Sequence, residues 1–479
     1  MHKKNWLFPT FFNFIALNRL LVLVLIILTS TVCLAQQIAV DTISFVGLKR
    51  TRPYLLSREL TFQQGDTILL KDIQDIFAIN EKRLQNTGLF VEVRMNVLAL
   101  DMQEKKAHIQ INLKEALFIY PAPLLEFLDN DFNKWWRNYD RSLKTLSYGL
   151  YLKHINLTGN GDEMTLYGQA GFTRKISLDY DFPFANKSNT LGFGLTTFYS
   201  ANKEIAYKTK DNYLQFERDL EKDQLTRTKV GVRAVYRPKL FIRHHLLLNY
   251  YSFKGSDSLT QFYNKDYFNG QSKLKFLELE YAAVFDTRDI VPYAMKGDHI
   301  IAYVNKTGFS KNNDIKVFYA GLLAYHYTSI SSRWSLENIG GGRFNFDRGK
   351  VPYYFNKALG YDDLYLRGYE YYVVDGQDYA FVKNSIRFMF FDKKFEWGKA
   401  MFLQAYRTMP VKAFLTANVD AGYVSDRFYS IENSLSNSAL IGYGLGLDLV
   451  FYYNKLLRFE VTRNHIGQTG FYVHFDAGL

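Results

Sequence analysis

The clearest pattern in this chain lies near its C-terminus, where apolar and polar residues alternate with a period of two. From Lys412, one set is Ala413, Leu415, Ala417, Val419, Ala421 and Tyr423; the other is Lys412, Thr416, Asn418, Asp420 and Gly422, with Phe414 as the exception. Further on, Ile441, Tyr443, Leu445, Leu447 and Leu449 alternate with Gly442, Gly444, Gly446 and Asp448. Leu457, Phe459 and Val461 then alternate with Arg458, Glu460 and Thr462, and Phe471, Val473 and Phe475 with Tyr472, His474 and Asp476. Successive side chains of a strand point to opposite faces, so this pattern aims one set at lipid and the other at a polar lumen. Strand-like runs separated by polar turns begin at Ser147, with cores near 147–157, 162–172, 174–182, 189–200, 204–218, 226–237, 241–254 and 273–286. They continue near 296–309, 314–329, 332–346, 380–391, 412–424, 438–451, 455–463 and 470–478. The expected fold is mostly β: a transmembrane antiparallel β-barrel of about 16 strands over 147–479, with the even strand number bacterial barrels require. A soluble β-sandwich would also alternate, but would rarely need so many strands.

Residues 36–116 carry a different pattern. Ile38 to Val46 reads as a strand ended by Gly47, Arg52 to Leu60 as a short helix, and Gly65-Asp66 as a turn. Leu69 to Leu84 is helical by period, with Leu70, Ile73, Ile76, Phe77 and Leu84 on one side. Phe90 to Leu98 and Ala107 to Leu113 read as two strands. The order is β-α-α-β-β. In the run from Leu84 to Phe90, Gly88 stops a helix and feeds Leu89 and Phe90 into the core at the head of a strand. With Gly47 and Gly65-Asp66 this resembles a POTRA domain, and the resemblance implies a sheet edge able to take up an extended client strand. Residues 117–146 read as a linker, where Trp135-Trp136 points to an interfacial anchor. Asp129, Asp131 and Asn133 mimic a calcium loop, but Lys134 stands where glycine is needed, so no calcium is expected there.

Composition agrees with a membrane barrel. The net charge of +12 could mean nucleic acid, but 36 Tyr and 40 Phe in 479 residues suit an outer-membrane barrel better, with the basic excess facing anionic headgroups or the lumen. Residues 1–35 read as a secretion signal: Lys3, Lys4 and Arg19 precede the apolar run Leu20 to Leu28, with cleavage expected after Ala35. The single cysteine, Cys33, would leave with it; acylation of Cys33 is the rival reading.

The candidate site lies in the stretch Gly360 to Tyr371, within a non-periodic segment of about 347–379. A lone Arg367-Gly368 pair is normally an exposed turn. In a barrel, a long loop can fold into the lumen, where a buried arginine needs a carboxylate partner. Asp420 is such a partner, and the inward glycines Gly442, Gly444 and Gly446 offer a surface that another backbone can approach, or mark a bend in the barrel. Leu366-Arg367-Gly368-Tyr369 is similar to the VRGF/Y loop motif, and Val419-Asp420-Ala421-Gly422 to the x-D-x-G motif, of the BamA/TamA-type outer-membrane insertase superfamily, which includes two-partner secretion transporters. Asp286-Thr287-Arg288-Asp289, with Pro292 and Lys296-Gly297, resembles that superfamily's DTRD turn, and Asn156 to Asp162 its first hairpin. Four motifs in the right order make the resemblance specific.

The resemblance implies an outer-membrane assembly factor, with its POTRA-like domain in the periplasm, that accepts unfolded clients and inserts or translocates them. Its first and last barrel strands would form a weak seam carried by Tyr148, Leu150, Phe471, Val473 and Phe475, while Arg367, Gly368, Tyr369, Asp420 and Gly422 would pin the loop. Implied partners are outer-membrane lipids, unfolded outer-membrane or secreted proteins and accessory lipoproteins; nucleic acid is not among them. A secretion pore for a dedicated exoprotein or lipoprotein, and a passive porin, remain as alternatives. No catalytic constellation, cofactor loop or metal-ligand spacing is present: there is no nucleophile elbow, HExxH or P-loop, GYGLGL lies on a strand, and His244-His245 lacks obvious ligand partners.

Overall fold

The structure, a computed structural model, describes residues 37–127, 142–186, 188–291, 293–309, 315–361, 363–401, 407–452 and 455–476. The expected leader with Cys33, the Asp129 to Trp136 segment, Pro292 and the terminal Leu479 lie outside these residues.

The N-terminal domain runs β1 (Gln37–Val46), α1 (Pro53–Ser57), β2 (Thr67–Leu69), α2 (Ile73–Asn86), β3 (Phe90–Asp101) and β4 (Lys106–Glu115). Its sheet order is β2-β1-β4-β3, with β1 parallel to β4 and the other pairs antiparallel. The expected β-α-α-β-β order is present, with β2 added as a three-residue edge. Proline at the first position opens α1, where its missing N–H has no helical partner to lose. One face of α2 buries Ile73, Phe77 and Leu84 against Val40, Val93, Ile109 and Ile111. Gly88, at φ +72, ends α2 in the left-handed region, and Leu89 and Phe90 enter the core behind it.

The barrel begins with β5 (Ile119–Phe127), β6 (Leu146–Ile155), β7 (Glu163–Gly171), β8 (Thr173–Phe182) and β9 (Leu191–Asn202). A separate hairpin, β10 (Glu204–Lys210) and β11 (Tyr213–Arg218), leads to β12 (Leu225–Lys239), β13 (Ile242–Gly255), β14 (Lys273–Asp286), β15 (Gly297–Thr307), β16 (Val317–Ser329) and β17 (Trp334–Asn345). The long loop that follows carries, among its described residues, a 3-10 turn at Tyr353–Phe355 and the small pair β18 (Lys357–Leu359) and β19 (Val374–Asp375). Then come β20 (Asp378–Glu396), β21 (Thr408–Ser425), β22 (Ala439–Phe451), β23 (Lys455–Asn464) and β24 (Thr469–Asp476). Without the two small hairpins, these form one antiparallel sheet of 16 strands, from β5 at one end to β24 at the other. Its outer face is apolar, with Val230, Val232, Leu246, Leu248, Leu415, Val419 and Leu445 all exposed.

Two sequence expectations are corrected here, and they cancel in the strand count. The first barrel strand is β5, inside the segment read as the 117–146 linker, so Tyr148 and Leu150 sit on the second strand and not at the seam. Pro121 and Pro123 hide β5 from a strand reading, because proline is excluded from most ladder positions. The run 204–218 is not a barrel strand. Asp211 and Asn212 both take positive φ, which turns the chain back on itself as a hairpin outside the barrel sheet.

The turns after β6, β8 and β14 meet the POTRA-like domain, which therefore docks on one mouth of the barrel. Asn156 Nδ2 donates to Thr51 Oγ1 at 2.9 Å, and Arg52 N to Gly159 O at 3.0 Å. Lys82 pairs with Asp289 at 3.3 Å, and Asn86 Nδ2 donates to Asp289 O at 3.0 Å. Glu59, buried at this junction, accepts from Arg237 of β12 at 2.9 Å and from Arg83 of α2 at 3.2 Å. At the opposite mouth the β10–β11 hairpin and the loops after β13, β17 and β21 pack together: Phe253, Leu259, Phe268, Ile315, Val351 and Tyr353 form one apolar cluster. Asn212 at the hairpin tip receives N–H bonds from Val373 and Leu435, both at 3.0 Å.

Candidate functional site

The loop between β17 and β20 folds back into the barrel, and Arg367 reaches the lumenal carboxylates. Its backbone N donates to Asp420 Oδ2 at 3.0 Å and one Nη to Asp420 Oδ1 at 2.9 Å. Its Nε donates to Glu460 Oε1 at 2.8 Å. Arg367 is 3% exposed, Asp420 0% and Glu460 1%, so this is a fully buried triad. The guanidinium serves two acids on different strands because its donors fork in a plane.

Glycines allow the close approach. A Cβ on Gly442 would stand 1.8 Å from Arg367 O, and one on Gly422 would stand 2.7 Å from Leu366 Cδ1. Gly368 takes φ +84 and rests on the backbone of Arg463 and Asn464, whose Nδ2 donates to Gly368 O at 2.6 Å. Tyr369 is 2% exposed, and its hydroxyl bridges Ile441 N and O, both at 3.1 Å. The structure thus brings Arg367, Gly368, Tyr369, Asp420, Gly422 and Gly442 together. Gly444 and Gly446 are not part of this contact: their nearest neighbours are Val461, Thr462, Thr416 and Glu460. Sequence reasoning placed Glu460 on the lumen face but did not pair it with Arg367; an inward carboxylate two strands from Asp420 was the available signal.

A second set of buried charges lies nearby. Arg458 Nε donates to Asp448 Oδ1 at 3.0 Å, and Arg387 pairs with Glu337. From the turn after β14, Tyr293 reaches inward to donate to Asp448 Oδ2 at 2.8 Å, its ring tilted 40° against Phe414 with centroids 4.7 Å apart. That contact explains why Phe414 breaks the alternation: it faces inward because an aromatic plug residue meets it there.

The seam is the other candidate element. Among the described residues, no ladder joins β24 to β5. Phe118 O accepts from Ile155 N at 2.7 Å, which fixes the parity of β5: Phe118 and every second residue after it bond toward β6. Ile119, Pro121, Pro123, Leu125 and Phe127 therefore turn their backbone groups to the open edge, and two of those five positions carry no N–H. On β24, Asn464 N bonds Gln468 O at 3.0 Å, so Thr469, Phe471, Val473 and Phe475 turn theirs to the seam. The two edges are unequal: β24 offers an unbroken row of donors, and β5 offers acceptors with a gap in its donors.

A POTRA domain docked on a 16-stranded barrel with an arginine-locked lumenal loop defines the class of this chain. Residues 38–116 match the family model for POTRA, surface antigen variable number repeat, and this segment is a POTRA domain. No curated protein matches the chain in sequence. Among solved structures, BamA from Haemophilus ducreyi lacking POTRA domains 1–3 is 16% identical, with a TM-score of 0.48 over 91% of this chain and 83% of that one. CdiB from Escherichia coli is 12% identical, with a TM-score of 0.48 over 93% and 91%. CdiB from Acinetobacter baumannii is 13% identical, with a TM-score of 0.46 over 92% and 73%. The POTRA match, the 16-stranded barrel and the loop and strand motifs around Arg367 and Asp420 support a place in the BamA/TamA-type superfamily, while Asn156 to Asp162, expected in the first hairpin, joins the second and third strands.

Proposed function

We propose that this chain is an outer-membrane assembly factor: its POTRA domain receives unfolded protein clients in the periplasm, and the barrel inserts or translocates them at the β24–β5 seam. The observation that carries this is the pair of unjoined strand edges. An unpaired edge is a template for another strand, and in a membrane each unsatisfied backbone group costs several kcal/mol. A client strand lodged there would satisfy both. Because Pro121 and Pro123 break the donor row of β5, β24 is the edge better suited to hold the client by main-chain bonds. In the POTRA domain, β3 is the long outer strand of the sheet; Glu81 Oε1 already holds Met95 N at 2.7 Å, and the rest of that edge is available for first capture.

The hairpin and loops packed together at the distal mouth, and the loop folded into the lumen, weigh against a passive porin. A secretion pore for a dedicated exoprotein or lipoprotein would need the lumenal loop, tied by Arg367 and Tyr369, to leave its place. Cysteine pairs stepped along β5 and β24 test the proposal, with outer-membrane protein levels read with and without reductant. Locking should halt client assembly and reduction should restore it. Normal assembly by a locked barrel would overturn insertion at the seam and leave transport through the lumen.

A further inference from the structure

The geometry points to a divalent-metal site in the lumen formed by Glu370, Glu460 and His474. Glu370 follows the Arg367-Gly368-Tyr369 turn, Glu460 lies on β23 and His474 on β24, the last strand. One ligand atom from each lies within 4.8 Å of the other two. Oε2 of Glu460 and Nε2 of His474 are buried and make no hydrogen bond, and the buried carboxylate of Glu370, beside the Tyr472 hydroxyl, faces them. Such orphans are costly, and two of them facing a third buried ligand group point to a missing common partner.

The surroundings favour a cation. Glu460 Oε1 is already held by Arg367 Nε at 2.8 Å and Asn418 Nδ2 at 3.3 Å, which leaves Oε2 directed at His474 Nε2, 3.7 Å away. The His474 ring stacks on Tyr365, with centroids 5.2 Å apart, and its Nδ1 faces the Tyr365 hydroxyl at 3.4 Å. A partner on the other ring nitrogen is how a metal-binding imidazole is usually oriented. Two of the cations around His474 are already engaged elsewhere, Arg367 with Asp420 and Arg458 with Asp448. A histidine with two carboxylates is a donor set for zinc or a similar first-row dication, with water in the fourth position. Zinc–ligand distances of about 2.0–2.2 Å place donors roughly 3.5 Å apart, so the site closes by a movement of ~1 Å, within reach of the Glu370 side chain. Glu460 and His474 face inward on one hairpin, but Glu370 comes from the distant loop, and no spacing ties it to them.

A metal here would tie the loop, β23 and β24 together. If the seam reading holds, it would latch the strand that carries the client edge; the site itself does not depend on that reading.

The test uses the full chain, purified in detergent and stripped with a chelator. It is titrated with zinc against a chromophoric competitor, and bound metal is counted by elemental analysis. One zinc per chain is expected, with affinity reduced about tenfold or more in Glu370→Gln and in His474→Gln. Glu460 is left alone because it also holds Arg367. Heat-modifiable mobility confirms that each variant barrel is folded. Uptake by the unaltered chain no greater than by the Glu370→Gln/His474→Gln double variant would overturn the site, and so would unchanged affinity in both single variants. Zinc uptake is read apart from client assembly, so failure of the site and failure of the seam are distinguishable.

Discussion

Arg367 carries more of the lock than either of its acids, because it alone touches both. Arg367→Ala leaves Asp420 and Glu460 buried and uncompensated, whereas Asp420→Ala leaves Arg367 still bound to Glu460. Removing one partner of a buried pair costs about 3–5 kcal/mol. The expected order of thermal stability is therefore unaltered chain, Asp420→Ala, then Arg367→Ala, measured by heat-modifiable mobility. Arg367→Lys should fall near Asp420→Ala, since an ammonium keeps the charge but cannot span two carboxylates in a planar fork. Equal stability of all four would refute the lock. Gly442 gives an independent check. Gly442→Ala drives a methyl into Arg367 O and should loosen the loop as Arg367→Ala does, while Gly168→Ala on β7 meets nothing within 4 Å and should be neutral.

At the level of elements, the decisive feature is the inequality of the two seam strands. Prolines in β5 restrict zipping of the barrel along that edge, in the way proline guards exposed edges elsewhere. Pro121→Val with Pro123→Val restores two donors to the open side of β5. The seam should then close more completely: cysteine crosslinks between β5 and β24 should form faster, and client assembly should slow. Unchanged crosslinking in the double variant would remove the prolines from the account. The same substitutions placed on β6 positions would not test this, because β6 is paired on both sides.

On the scale of the whole molecule, the POTRA domain closes on the barrel through Glu59, a POTRA residue outside the spanning strands. Burial pushes its carboxyl up, but Arg237 and Arg83 outweigh burial and hold it below the ordinary carboxylate range. A depressed carboxylate stabilises the docked state above the unfolded value, about 4.3, and that contribution is lost as pH falls through the lower, folded value. Docking should thus be constant from neutral pH to mild acid and fail only under stronger acid, as read by crosslinks between Lys82 and the Asp289 turn. Glu59→Gln should loosen docking at every pH and remove the acid transition; a persisting transition would place its cause elsewhere.

The alternating residues of β21 to β24 determined locally that these are strands with a polar and an apolar face, since period two is a property of one strand. Arg367 and Asp420 could be paired from sequence because a buried arginine demands an acid and the lumen face offered one. Helix α2 and its Gly88 stop were equally local. What only the tertiary structure decided was which strands are neighbours. β5 became the first strand because its prolines could face an open edge, a condition no run of residues displays by itself. The run 204–218 became a hairpin because left-handed residues at its centre and docking on Asn433 and Leu435 outweighed its strand character. Glu460 and His474 neighbour each other on the β23–β24 hairpin, but Arg367 and Glu370 met them only because the long loop folds into the lumen, a docking that their separation in sequence does not reveal.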